Sequence, residues 1–260
     1  MNNKPNYYRK LDILRIVCAI AILFYHLGYM SGGYLAVCTF FVLSGYLGVI
    51  TNLNKENFSL KEYYLKKIKK IYIPLLIVTF ISIAVVSNIP NTYWLNIKNE
   101  TTSVLLGYNN FWQINANLDY FARHIDSPFM HFWYIAILIQ FDLLFPFIFM
   151  ILNKLREKFN KNIPIVITFV GSVIGAIIFY NMSKTNLMNA YYNTFTRVFS
   201  LFIGMMLGYI HNGYGNFFTL DVTNKKFKNI IYTLYLIVII IMFKFVPATS
   251  IYFSTSMVLI

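Results

Sequence analysis

The sequence predicts an all-α membrane protein, a polytopic bundle of transmembrane helices. Apolar residues make up 58% of the 260 residues and aromatic residues 19%, and the mean hydropathy of +0.59 is far above that of soluble domains. Crossing a bilayer takes about 20 mostly apolar residues. Seven segments fit, at residues 11–29, 33–50, 71–88, 132–152, 163–181, 195–211 and 229–247. Because the apolar run at 250–260 is too short to cross alone, we expect seven full spans and a partial eighth.

The basic residues indicate the orientation of these spans. The formal net charge is +13, and most of the 22 lysines and arginines precede span one or follow spans two, four and six. Since cytoplasmic loops are enriched in lysine and arginine, we predict a cytoplasmic N-terminus. This sorting by loop accounts for the charge, so we expect no nucleic-acid partner.

The first span, LDILRIVCAIAILFYHLGYM at residues 11–30, carries an aspartate, an arginine and a histidine where lipid allows few charged groups. It lacks a small-residue cleavage site, so we interpret it as a retained helix rather than a secretory signal. Arg15 and His26 are eleven residues apart, which places them within about 20° of one helix face and roughly 16 Å apart along the axis. Asp12 lies one turn before Arg15 and could pair with it. Arg15 could instead be a snorkelling anchor and His26 a polar contact between helices, whereas intramembrane ionisable groups are often functional.

The basic run YYLKKIKKIYIP at residues 63–74 is amphipathic, with apolar residues at helical spacing and lysines on the other faces. It predicts an interfacial helix, followed by a third span that starts at Pro74. Two interpretations of the lysines are compatible: they attract anionic lipid, or they bind the phosphates of a ligand. The lysines concerned are Lys66, Lys67, Lys69 and Lys70.

Residues 89–130 form the one long predicted loop, on the extracytoplasmic side. It contains aromatic side chains among many asparagines, so it could be a lid anchored in the membrane interface or an ordinary surface loop. The aromatic residues are Trp94, Phe111, Trp112, Tyr120 and Phe121.

The small and polar residues inside the spans suggest packing more than chemistry. Ser44 lacks the sequence context of a nucleophile, and Gly45 and the glycines spaced by four in later spans predict close helix contacts. Cys18 and Cys38 lie in apolar spans, so we expect neither a disulfide nor a metal site. Asp142, near mid-membrane, requires a partner that the sequence does not identify.

Five segments, in order, resemble the membrane-bound acyltransferase-3 family. One is the pair of Arg15 and His26 in span one, with ten residues between them. Another is the basic run at 63–74, which is similar to the family's arginine-rich run before a proline. The other three are GGYLAVCTFFVLSGYLG at 32–48, HFWYIAILIQFDLLFP at 131–146 and TRVFSLFIGMMLGY at 196–209. The chain departs from the family in its lysines and in Asp142, which stands where an aromatic residue is usual.

The resemblance implies one integral-membrane acyltransferase domain over residues 1–260, in the cytoplasmic membrane of a bacterium. We expect it to be incomplete at its C-terminal end, because the family core has more spans. The implied reaction moves an acyl group, commonly acetyl, from cytoplasmic acyl-CoA to a hydroxyl of an envelope carbohydrate. Acyl-CoA is then a co-substrate rather than a bound cofactor, and the expected partners are acyl-CoA, the carbohydrate and membrane lipid.

The resemblance also assigns site residues. His26 is the candidate general base, since a histidine pKa suits proton transfer near neutrality. Arg15, on the same helix face, and its neighbour Asp12 are the other two catalytic candidates, and we call this shared face the stripe of span one. The four lysines of the basic run would hold the donor phosphates. The candidates for the acceptor side are His131, Trp133, Tyr134 and Arg197. Trp133 and Tyr134 could instead belong to an aromatic belt at the membrane interface.

Two other functions remain possible from the sequence. A carrier or exporter of glycans or small solutes also places polar groups in a helix bundle, but the sequence has no inverted repeat and no paired broken helices. A truncated, non-catalytic homologue is the second alternative. Acyl-CoA-dependent transfer of label in proteoliposomes would distinguish the enzyme from both.

Overall fold

The computed structural model describes residues 9–53, 55, 57–89, 96–116, 128–218 and 225–247, and all regular structure among them is helical. The prediction of an all-α fold is confirmed. The helices are α1 Arg9–His26, α2 Ala36–Leu53, α3 Leu60–Lys67, α4 Ile73–Val86, α5 Ile97–Leu105, α6 Asn109–Asn115, α7 Trp133–Lys158, α8 Ile163–Thr185, α9 Leu187–Tyr192, α10 Thr194–Phe218 and α11 Lys225–Phe245. Short 3₁₀ turns, Gly33–Leu35 and Met130–Phe132, precede α2 and α7.

Each of the seven predicted spans coincides with a helix: α1, α2, α3 with α4, α7, α8, α10 and α11. Within the described part of the chain, four helices are long and apolar enough to cross a membrane by length and composition. These are Gly33–Leu53, Leu60–Val86, Met130–Lys158 and Ile163–Thr185. The predicted partial eighth span at 250–260 lies outside the described residues.

Glycines let α10 pack closely against α2, as the sequence predicted. A Cβ added to Gly45 would overlap the backbone carbonyl of Leu201, and one added to Gly204 would overlap that of Val42. On the other side of α10, Gly175 of α8 faces the backbone of Phe199. Close backbone approach through small residues is how membrane helices associate without a hydrophobic driving force.

The basic run and the third span form one continuous helix. A π-helical segment, Ile68–Tyr72, joins α3 to α4, and Pro74 occupies the first turn of α4, as expected. A proline lacks a backbone N–H and crowds the carbonyl of the preceding turn, and the wider π turn provides that room. The predicted interfacial helix and the third span are therefore continuous, and the lysines stand on the helix that leads into the span. Its position in the membrane interface stays a prediction.

Two short helices from the predicted outer loop fold onto the bundle. Helix α6 contacts α7 and α9, and α5 contacts α4 and α6. Gln140 of α7 donates to the carbonyl of Gly107 and to Asn110 Oδ1, both at 2.8 Å. Thr194 in turn donates to Gln140 Oε1 at 2.5 Å. Gly107, with φ of +72°, forms the tight turn between α5 and α6. This network holds the segment against α7 and α10.

The interpretation of residues 89–130 as an extracytoplasmic loop or lid stays a prediction. Phe111 and Trp112 are half-buried in α6. Trp94, Tyr120 and Phe121 lie outside the described residues.

Candidate functional site

A basic cavity of about 320 Å³ lies where α1, α2 and α3 meet. Five cationic side chains and one carboxylate line it, together with polar groups of α2. The charged residues are Asp12, Arg15, Lys55, Lys66, Lys67 and Lys70. Such a concentration of positive charge suits an anionic ligand with several phosphates.

Three of the four lysines singled out in the sequence therefore line one cavity with Arg15, whereas Lys69 does not. Lys66 and Lys70 are four residues apart and share a helix face. Lys55, which follows α2, was not predicted as a site residue. Its only signal in the sequence was its contribution to the basic segment after span two.

Asp12 and Arg15 form the predicted pair. Arg15 Nη1 donates to Asp12 Oδ1 at 2.6 Å, and both side chains are about one-third exposed, at 36% and 32%. The pair lies three residues apart on one face of α1, as helix geometry dictates. Asp12 thus orients the guanidinium at the cavity wall.

Asp142 finds its partners on α3. Lys67 Nζ donates to Asp142 Oδ1 at 2.6 Å, and the Tyr63 hydroxyl donates to the same oxygen at 3.0 Å. Asp142 is buried, with 7% of its surface exposed, so its carboxylate needs this charge-assisted contact. A donor-side lysine of the sequence prediction is therefore already engaged by a carboxylate.

The two histidines of the predicted site meet at the other end of α1. The His26 and His131 rings lie edge to face with centroids 4.3 Å apart. His26 is half-buried and His131 is exposed. Arg15 precedes His26 by eleven residues and Asp142 follows His131 by eleven, so both charged residues lie roughly 16 Å from the histidine pair along their helices.

Tyr134 lies between the cavity and the histidine pair. Its ring packs against Phe41 at a centroid distance of 4.8 Å, and its hydroxyl interacts with Ser44, which lines the cavity. Tyr134 also lies only three residues after His131 in the chain. It therefore stands next to the histidine pair on one side and to the cavity residue Ser44 on the other.

Trp133 and Arg197 support the site from the core. Trp133 is 1% exposed and Arg197 is fully buried; Arg197 Nε donates to the carbonyl of Tyr191 at 2.8 Å. The guanidinium carbon lies 4.5 Å from the Tyr191 ring centroid and 5.6 Å from that of Trp133, within reach of cation–π attraction. The interface-belt interpretation is wrong for Trp133, because its ring packs inside the bundle.

The described residues offer no obvious metal centre. Among them, no group of three or more histidine, cysteine, aspartate and glutamate side chains lies close enough to hold a metal ion.

Comparison with known proteins identifies the family. A family model described as an acyltransferase domain matches residues 8–260, and so includes every element that builds the cavity and the histidine pair. The chain belongs to the acyltransferase-3 family. The resemblance inferred from the five sequence segments is confirmed, and with its apolar helices the chain is an integral membrane protein.

Curated relatives of this acyltransferase-3 chain are similar over most of its length. It is 31% identical over 216 residues to the O-acetyltransferase OatA of Staphylococcus aureus, in strain NCTC 8325 / PS 47 and in strain COL. The alignment covers 79% of this chain and 35% of OatA, so the chain spans about a third of the length of the relatives it matches. The comparison with solved structures gave no match.

Proposed function

We propose that this protein transfers an acetyl group from cytoplasmic acetyl-CoA to a hydroxyl of an envelope carbohydrate. The observation that carries the proposal is the arrangement of α1: Arg15 lines the basic cavity, and His26, on the same stripe, meets His131. One helix thus connects a site for an anionic donor to a group able to move a proton. The similarity to OatA, an O-acetyltransferase, supports the acetyl group and the oxygen acceptor.

The proposed topology has seven crossings and a cytoplasmic N-terminus, in the cytoplasmic membrane of a bacterium. The excess of lysine and arginine in alternate segments supports this orientation. The basic cavity then opens toward the cytoplasm, where acyl-CoA is made, and the histidine pair lies toward the outer face. Donor and acceptor would approach from opposite sides of the membrane.

The cavity suits the nucleotide part of acyl-CoA. Its phosphates would be held by lysine ammonium groups, which act as point charges, and by the guanidinium of Arg15, which Asp12 orients. The thioester sits at the end of a long thin arm, so it could reach from the cavity past Ser44 and Tyr134 toward the histidine pair. Acyl-CoA is supported as the donor because its phosphates match the positive charge of the cavity and its arm is long enough to reach the histidine pair.

The proposed reaction needs one group that acts first as a base and then as an acid. His26 takes the proton of the acceptor hydroxyl while the oxygen of that hydroxyl attacks the carbonyl carbon of the thioester. The tetrahedral intermediate collapses with a new C–O bond and a broken C–S bond, and the imidazolium returns the proton to the departing CoA sulfur. His131, in ring contact with His26, restrains the orientation of that imidazole.

The test is transfer of label by the purified protein in proteoliposomes. Acetyl-CoA labelled in its acetyl group is supplied on the side of the basic cavity, together with envelope oligosaccharides on the other side. We expect label to appear on the oligosaccharide as an alkali-labile ester, with release of one CoA thiol for each ester. Intact acetyl-CoA with unlabelled oligosaccharide would refute the proposal.

A further inference from the structure

Three hydrogen bonds tie the lysine-bearing helix α3 to two adjacent residues of α7. Tyr63 and Lys67 donate to Asp142 Oδ1, and Tyr64 donates to the carbonyl of Leu143 at 2.9 Å. Two of the three converge on one carboxylate oxygen. The position of α3 beside the cavity therefore depends strongly on Asp142.

The energetics of Asp142 favour a positioning role over simple stabilisation. Its other oxygen, Oδ2, is buried and accepts no hydrogen bond from the described residues. Burying an ion pair costs desolvation that an apolar pair of similar size avoids, so such pairs are weak sources of stability. They can instead fix how two helices align, because a shifted helix would leave a buried charge without its partner.

The cations of the cavity divide into two classes. Among the described residues, two of the five have a carboxylate within ion-pair distance: Arg15 has Asp12 and Lys67 has Asp142. The remaining three cations have no such carboxylate in the part of the chain that the structure describes. They are Lys55, Lys66 and Lys70.

We infer that Asp142 is a positioning residue for the donor site, acting through Lys67 to hold the lysine-bearing helix so that Lys66 and Lys70 contact the anionic groups of the donor, beside Lys55 from the segment after α2. Lys67 serves the helix contact rather than the ligand. The inference rests on the proposed function for the identity of the donor, an acyl-CoA. The arrangement of α3 and α7 that it invokes holds for any anionic ligand of the cavity.

The division predicts two different patterns of mutant behaviour. Lys66→Met and Lys70→Met each remove one ligand cation, so each should weaken acetyl-CoA binding and reduce its salt dependence. Asp142→Asn and Lys67→Met break the same pair: the first leaves the partly exposed Lys67 without its carboxylate, and the second leaves the buried Asp142 without its cation. The double variant Lys67→Met/Asp142→Asn should therefore bind no more weakly than the worse of the two single variants. Lys69→Met is the matched control, since Lys69 stands in the same run but outside the cavity.

The experiment measures acetyl-CoA affinity for these variants in nanodiscs at matched folded levels, with kcat and KM where turnover is present. We expect Asp142→Asn to weaken donor binding about tenfold, the loss of one charge-assisted hydrogen bond, while kcat at saturating donor is retained. A purely structural lesion would lower the folded fraction and leave the affinity of the folded molecules unchanged. Wild-type affinity in folded Asp142→Asn, with wild-type binding of acetyl-CoA established, overturns the inference and leaves the proposed function standing.

A second measurement needs no donor. The substitution Lys66→Cys, in a background with Cys18→Ala and Cys38→Ala, reports the position of α3 through the reaction rate of the new thiol with a water-soluble thiol reagent. We expect Asp142→Asn to change that rate several-fold and Lys69→Met to leave it unaltered. If the wild-type protein fails to bind acetyl-CoA, the proposed donor is refuted, and this rate alone decides the positioning role. An unchanged rate in Asp142→Asn refutes that role.

Discussion

The imidazole rings of His26 and His131 lie edge to face, 4.3 Å between centroids, although 105 residues separate them in the chain. His26 ends α1, and His131 lies in the 3₁₀ turn that starts α7. The contact therefore joins the ends of two helices whose charged residues, Arg15 and Asp142, lie at similar depth. The histidine pair thus lies roughly 16 Å along α1 from Arg15 of the basic cavity, a separation that the long arm of an anionic donor could span.

Replacing His26 with alanine should separate chemistry from donor binding. If His26 is the base, turnover should fall by roughly 10² to 10⁴-fold, as is typical of losing an acid–base group, with acetyl-CoA affinity nearly intact. The matched control is Phe24→Ala, because Phe24 lies on the same turn and is 37% exposed. Acyl transfer and donor affinity would be measured for both at matched folded levels. Wild-type turnover in the His26 variant would return that histidine to a structural role.

Replacing His131 with glutamine should give a smaller loss. Glutamine keeps a polar side chain against His26 but cannot carry a proton, and restraint of the His26 ring is only one contribution to the barrier. We expect turnover to fall about tenfold, less than for His26→Ala. Steady-state kinetics on both variants checks the order. A loss equal to that of His26→Ala would instead make His131 a second proton carrier.

Arg15 should affect the donor rather than the chemistry. Arg15→Ala removes a cavity cation and leaves Asp12 unpaired, so acetyl-CoA binding should weaken by at least about tenfold. Arg15→Lys should recover part of the affinity, since it keeps the charge and loses the bidentate geometry. Equilibrium binding of labelled acetyl-CoA measures both. Equal affinity in Arg15→Ala and the wild type would identify Arg15 as a membrane anchor only.

The helical fold and the stripe on α1 were predictable because periodic apolar patterns and positions within one helix fix them locally. The partner of Asp142 was not, because Lys67 is 75 residues away and no local pattern sets how α3 aligns with α7. Helical spacing places Lys66 and Lys70 on one face. The choice of three cavity lysines over Lys69 still needed the position of α3 relative to α1.

The sequence alone could not decide whether Trp133 faces the membrane interface or the interior of the bundle. An indole near the start of a span is equally typical of an interface belt and of a buried ring beside a cation. Trp133 proved to be buried because Arg197 and Tyr191, from later parts of the chain, pack around it. The sequence showed all three residues but not their proximity.

Labelling of single cysteines at the two ends of α8 should test the topology. Asn160 precedes α8 and Asn186 follows it, and both are exposed. In intact cells an impermeant thiol reagent should react with cysteine at 186 and not at 160, because the basic segment after α7 is predicted to be cytoplasmic. The native Cys18 and Cys38 are buried and should contribute little background. The reverse pattern would exchange the donor and acceptor faces of the proposal.

Close packing of α2 on α10 should make Gly45 intolerant of any side chain. Gly45→Ala places a Cβ against the Leu201 carbonyl, and since backbone cannot move aside as a side chain can, the helices must separate. Overpacking of this kind costs about 1–3 kcal/mol or more, so the thermal unfolding midpoint should fall. Gly213→Ala is the control on α10, because a Cβ there meets nothing within 4 Å and alanine favours a helix over glycine. Thermal unfolding in detergent compares the two, and equal midpoints would mean that the α2–α10 contact is looser than the structure describes.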